Sequence, residues 1–178
     1  MRVFAKLPLI IALILLGGSI TANAAANVTQ RRTVAAYRVE LHITAPVPLF
    51  SKQEVADKHV KKGMEILGGA APIALDAASH PNRHLAVSIF RRRSRQVVTD
   101  ATVTISFAPI DAKGRVNDAP IDVPVVVMQE IGKGPTSTRY GNNVTMPAGH
   151  YNVTVMVKGK RLVFVVALTD APPGHTKR

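Results

Sequence analysis

The chain has 178 residues, 23 Lys and Arg against 11 Asp and Glu, and no cysteine, for a formal net charge of +12. The missing thiols exclude disulfides, thiolate metal centres and cysteine nucleophiles, so stability has to come from a packed core. The charge favours anionic partners through a field that salt screens over about 10 Å.

Residues 1–24 have the pattern of a secretory signal peptide. Arg2 and Lys6 supply a positive start, Leu7 to Leu16 an apolar stretch, and Ala22-Asn23-Ala24 a small-x-small cleavage site. The apolar stretch falls short of the roughly 20 residues that span a bilayer. The expectation is an exported, periplasmic protein cleaved near Ala24. Removing residues 1–24 deletes Arg2 and Lys6 and no acid, leaving 21 basic and 11 acidic side chains, a net +10. Outside the cytoplasm nucleic acid is not an expected partner; an anionic membrane surface or a protein is.

Residues 25–36 are polar and read as a flexible leader, with the domain following over 37–170 and a polar tail over 171–178. Tyr37 to Thr44 alternates, Tyr37, Val39, Leu41 and Ile43 against Arg38, Glu40, His42 and Thr44, the period of a half-buried strand. Pro46 and Pro48 end it. Ser51 to Lys62 predicts a short helix, because Ser51 and Glu54 have capping-box spacing. Gly68-Gly69 and Pro72 mark turns.

From His84 onward the pattern is strand. Leu85, Val87 and Ile89 alternate, Arg91 to Arg95 forms a basic turn, and Val103, Ile105 and Phe107 resume the period, predicting a hairpin. Asp111 to Gly114 is turn chemistry, and Pro124 makes Ile121 to Met128 an edge or bulged strand. Tyr151 to Val157 and Leu162 to Leu168 flank Lys158-Gly159-Lys160, the clearest hairpin signal in the chain. The sum is an all-β, Ig-like antiparallel β-sandwich of about seven strands with one short helix.

Thr136 to Tyr151 reads as a turn-rich loop holding Arg139, Tyr140, Gly141, Asn142, Asn143 and Met146. A tyrosine bonding back to the backbone would account for Tyr140 or Tyr151, a common sandwich device. Met128, Met146 and Met156 are soft donors suited to Cu(I), although a lone Met in an apolar strand is most often core filler. His80 and His84 are the only close histidine pair, and the intervening Pro81 removes the helical logic of a metal pair, so a surface pair is expected. Arg38, Glu40 and His42 share a strand face, either as part of a cation site or as its wet side. No nucleophile elbow, phosphate-cradling glycine loop or zinc-protease helix occurs, so no enzyme is expected.

Gly68-Gly69, His84-Leu85-Ala86-Val87-Ser88-Ile89-Phe90, Val98 to Thr104, and Met128 with Tyr140-Gly141-Asn142-Asn143-Val144-Thr145-Met146 resemble a group of small exported bacterial Ig-like proteins. The likeness covers about residues 62–168, and the group is in turn distantly similar to the periplasmic iron-transport accessory family, whose Ig-like domain binds copper and is implicated in iron uptake. That resemblance implies a metal site from a His-x-Glu strand, a Met on a later strand and a His before the Tyr-Gly-x-Asn loop. Glu40 and Met128 match it, but Arg38 and Arg139 stand at the two His positions, and a guanidinium has no lone pair to offer. His42, His84 or His150 would have to substitute.

The candidate metal residues are therefore Glu40, His42, His84, Met128, Met146 and His150, with copper or iron as the expected ion. Arg139, Tyr140 and Asn142 are the candidate loop or anion residues. The first expected function is a periplasmic, non-enzymatic protein linked to transition-metal binding or transport. The alternative is a basic binding or assembly module that docks a protein or anionic partner without metal.

Overall fold

A computed structural model describes residues 27–68 and 80–170, and the expected signal peptide and tail lie outside them. The elements run β1 Val28–Val34, β2 Tyr37–Thr44, β3 Leu49–Ser51, α1 Lys52–Asp57, β4 Met64–Ile66, β5 Arg83–Arg91 and β6 Val103–Pro109. They continue with β7 Ile121–Val123, β8 Val126–Glu130, a 3-10 turn at Gly134–Ser137, β9 Arg139–Val144, β10 Gly149–Val157 and β11 Lys160–Leu168. The fold is all-β. Two sheets face each other, a 7-stranded one ordered β1-β2-β5-β9-β8-β4-β3 and a 4-stranded one ordered β11-β10-β6-β7.

The period of two builds the core between them. Val39, Leu41 and Ile43 of β2 and Leu85, Val87 and Ile89 of β5 face Val153, Val155 and Val157 of β10 and Phe164 of β11, all at 0 % exposure. Each such side chain contributes roughly 1.5–3 kcal/mol by leaving water. The alternate residues of β2 and β5 form the outer face of the larger sheet, and that is where the candidate chemistry sits. There the register aligns His42 with Ala86, Ala86 with Gly141, and Gly141 with Val126.

Several local expectations hold. Ser51 caps α1, its hydroxyl accepting from the Glu54 amide while the Glu54 carboxylate accepts from the Ser51 amide. The helix is shorter than the periodicity suggested, ending at Asp57. Lys158 and Gly159, with φ of 47° and 75°, form the two-residue turn that joins β10 to β11. Both positive φ values match the right-handed twist of the paired strands. Asp111 organises its turn by accepting from the Lys113 and Arg115 amides at 2.8 and 2.9 Å. The Ile121 to Met128 segment breaks at Pro124, its first part pairing in the smaller sheet and its second in the larger.

Other expectations are corrected. The expected leader contains β1, which pairs with β2 from Val28 opposite Ile43 to Val34 opposite Tyr37. Its valines are spaced for a strand, but their separation by polar residues hid the signal. Leu85–Ile89 and Val103–Phe107 do not form a hairpin: β5 pairs with β2 and β9, whereas β6 pairs with β10 and β7 in the other sheet. The Arg91–Arg95 turn is closed by the Phe90–Val97 bridge and by the Arg95 amide donating to the Arg91 carbonyl at 2.8 Å. The expected loop around Tyr140 is strand β9 at the centre of the larger sheet, with Tyr140, Asn142 and Val144 turned inward and buried. With these and the short β3 and β4, the described residues hold eleven strands rather than about seven.

Candidate functional site

Strand parity brings Glu40, His42, His84, Met128 and Arg139 onto one face, the outward side of the larger sheet. The face does not make them a single cluster. Glu40 is 8 % exposed, and its Oε1 receives Arg31 Nε at 2.7 Å with Arg38 Nε at 3.3 Å. Arg31 enters from β1, directly across from Glu40. The Arg38 guanidinium also lies 4.4 Å above the Phe90 ring, a cation–π contact across the β2–β5 pair. The carboxylate is thus already satisfied by cations.

His42 Nε2 stands 4.0 Å from Glu40 Oε2. Burial and the positive charge of Arg139 hold its pKa below the ordinary 6.5, outweighing the attraction of Glu40. His42 is therefore neutral at pH 7 and makes no ion pair with Glu40.

His84 is completely buried, not the surface residue its loop-like sequence context suggests. Its Nδ1 lies 3.0 Å from Asn143 Oδ1. The Asn143 amide is oriented unambiguously, because Nδ2 donates to the Val47 carbonyl at 2.8 Å while Oδ1 accepts from the Val47 amide at 3.2 Å. Since Oδ1 only accepts, Nδ1 must carry the proton, leaving Nε2 with a bare lone pair. That nitrogen has no partner among the described residues. Burial, with Arg139 and His42 nearby, brings the His84 pKa down to about 4 against the opposing pull of the Asn143 bond.

Between these side chains the sheet floor is bare. Ala86 and Gly141 lie opposite each other, and a Cβ on Gly141 would collide with the Leu85 carbonyl oxygen and stand 2.6 Å from the Ala86 Cα. Glycine is required there by the close approach of β9 to β5. Met128 lies farther across, fully buried in a second apolar cluster with Met64, Ile66 and Val126. Val47 and Leu49 pack against that cluster, in a segment that Asn143 holds by its backbone.

The remaining candidates go elsewhere. Met146 is at 0 % exposure in the main core, its amide donating to Asn82 Oδ1 at 2.8 Å. His150 is exposed on β10, on the outward side of the smaller sheet, since its neighbour Tyr151 faces the core. Tyr140 bonds back to the backbone: its hydroxyl donates to the Val98 carbonyl at 2.9 Å and accepts from the Ala101 amide at 3.1 Å. Burial raises its pKa above 10.0. Tyr151 does the same locally, donating to the Pro147 carbonyl at 3.0 Å. Asn142 is buried, donating to the Pro124 carbonyl at 2.9 Å and accepting the Asn143 amide at 2.8 Å.

The donors present do not fit a copper or iron ion. The carboxylate is committed to two guanidiniums, the Met128 and Met146 thioethers are enclosed in apolar clusters, His150 faces away, and the fixed charge of Arg139 bears on both His42 and His84. No group of three or more His, Cys, Asp or Glu among the described residues is arranged to hold a metal.

A second set of residues gathers at one end of the sandwich. Arg91, Arg92, Arg93 and Arg95 are on the turn after β5, and Lys158 and Lys160 are at the β10–β11 turn. The Arg92 amide donates to the Ala36 carbonyl at 2.8 Å, and Lys158 Nζ lies 5.9 Å from the Tyr37 ring centroid, so these turns meet at the β1–β2 turn. Arg31, Arg32, Arg38 and Arg161 lie alongside in one shared depression. The acids carried by these segments are Glu40, already engaged, and Asp100. Arg31, Arg32 and Asn143 escaped the sequence reading. A period-two reading of Val28 to Val34 would have exposed the two arginines, whereas the role of Asn143 depends on a segment distant in sequence.

No described helix is long and apolar enough to cross a membrane. Comparison with protein-family models, curated proteins and solved structures gave no match.

Proposed function

We propose that this is an exported, non-enzymatic β-sandwich that docks, without metal, on an anionic phospholipid surface through its basic end. The observation that carries this reading is the concentration of cations from two separate turns, the edge strands β1 and β11 and the start of β2 at one end, with Glu40 and Asp100 as the only acids on those described segments. The signal-peptide pattern of residues 1–24 supports an extracytoplasmic setting, where phospholipid headgroups are an abundant anionic surface.

A lipid surface fits this end better than a protein does. Protein interfaces bury an apolar centre inside a polar rim, whereas of the exposed large hydrophobic residues Val116 and Ile121 lie between β6 and β8 and Val165 stands singly on β11. Attraction by charge alone, at about 1 kcal/mol for each Lys or Arg near an anionic bilayer, suits a cluster of mobile guanidinium and ammonium tips.

Sedimentation with phosphatidylglycerol vesicles, using phosphatidylcholine vesicles as the control, tests the reading. Binding is expected only to the anionic vesicles, weakening steeply with salt and lost in the variant carrying Arg91→Glu, Arg92→Glu and Arg93→Glu. No binding at low salt, or binding indifferent to that charge reversal, overturns it. Capture of an acidic protein without vesicle binding would move the function to protein assembly.

A further inference from the structure

The edges of the two sheets meet where β1 of the larger sheet runs beside β11 of the smaller. The described contact there is a side-chain bond, Gln30 Nε2 donating to the Val165 carbonyl at 2.8 Å. Beyond it the seam opens into a depression of about 500 Å³ lined by Arg31, Arg32, Thr33, Arg38, Arg161, Leu162 and Val163. Four arginines therefore line one space.

Their partners are unequally distributed. Arg31 and Arg38 share Glu40. Arg32 pairs in register with the core residue Val39, so its side chain leaves β1 on the inward side, and its guanidinium lies 5.7 Å from the centroid of the buried Phe164 ring. Arg161 is the second residue of β11, opposite Met156. Neither Arg32 nor Arg161 has an acidic partner among the described residues. Two arginines, each a fork of five donors, thus line a concave, solvent-open space, Arg32 with its guanidinium against an aromatic ring and Arg161 near the start of β11, alongside the Glu40-paired Arg31 and Arg38.

Such an arrangement repels cations and is incomplete without an anion. We propose that the β1–β11 seam is a saturable binding site for a phosphoryl group, with Arg32 and Arg161 as the forks that grip its oxygens and Arg31 and Arg38 supplying the surrounding positive field. A tetrahedral oxyanion takes paired N–H donors from several directions at once, which a planar carboxylate cannot do as fully. Thr33 adds a hydroxyl at the rim. This inference rests on the docking reading above and deepens it: the basic end supplies diffuse attraction, and the seam takes one headgroup.

The test uses the whole protein with two probes, glycerol phosphate in solution and phosphatidylglycerol vesicles. Calorimetric titration with glycerol phosphate is expected to saturate at one equivalent. Arg32→Gln and Arg161→Gln should each weaken it at least ten-fold, Arg32→Lys and Arg161→Lys should retain part of it, and the Arg91, Arg92 and Arg93 charge reversal should weaken it only in a manner that added salt screens. Circular dichroism of each variant confirms the fold. Absence of saturation, or saturation untouched by either Gln variant, overturns the seam as a site. Vesicle binding that also falls in the Gln variants identifies the lipid headgroup as the source of the phosphoryl group. Seam-dependent binding of glycerol phosphate with no vesicle binding keeps the site, assigns it to a free phosphate compound and refutes the docking reading.

Discussion

Acidification should destabilise this protein well before its carboxylates titrate, and His84 is the reason. In the unfolded chain its imidazole titrates near 6.5, whereas burial brings it to about 4 in the fold. Above pH 6.5 neither state holds the proton, and the full stability is present. As the pH falls below 6.5 the unfolded chain binds a proton that the native state refuses, so stability is lost progressively until the native imidazole titrates near 4. At about 1.4 kcal/mol per pH unit, the window between those two values corresponds to a loss on the order of 3 kcal/mol. His42, also held below 6.5 by burial, adds a contribution of the same sign. Urea denaturation of the wild type and of His84→Gln, measured from pH 7.5 to 4, isolates the His84 share because the variant cannot take up that proton. Gln should be the less stable at pH 7.5, and its deficit should shrink by about 3 kcal/mol as the pH falls. A difference that stays constant across the range, or an NMR titration placing His84 at or above 6.5, refutes the reasoning.

Three further outcomes follow from the geometry. Tyr140→Phe removes the hydroxyl that serves both the Val98 carbonyl and the Ala101 amide, leaving two backbone groups without that partner; urea midpoints should report a loss of about 1–3 kcal/mol. Gly141→Ala places a methyl group against the β5 backbone, so a loss of at least 1–3 kcal/mol is expected by thermal melting, and a neutral result would mean that β9 does not approach β5 so closely. Equilibrium dialysis against Cu(I), Cu(II) and Fe(II) should leave no stoichiometric ion, because Glu40 is bound by two arginines; one tightly held equivalent, lost on Met128→Leu, would contradict the donor analysis.

Period-two alternation is a property of neighbouring residues, so the chain's pattern alone was sufficient for an all-β architecture, the inward faces of β2, β5, β10 and β11, the α1 capping box and the Lys158-Gly159 hairpin. It also placed Arg38, Glu40 and His42 on one face of β2. What it could not supply was the partner of each strand, because pairing is decided by contacts between segments far apart in sequence. Leu85–Ile89 and Val103–Phe107 alternate equally well whether they pair with each other or join different sheets, and only the competition for β2, β9 and β10 separates them.

The same limit applies to the candidate site. Gly141 and the two asparagines carry strong turn propensity, yet the tertiary structure places them in a central strand, where glycine admits close approach to β5 and Asn142 and Asn143 bond backbone groups outside their own sheet pairing. Met128 and Met146 look alike in sequence and are buried in two different clusters. Composition gave the positive charge. Its concentration at one end, and the placing of Arg32 and Arg161 on one depression, arose only when turns and edges from distant parts of the chain were folded against one another.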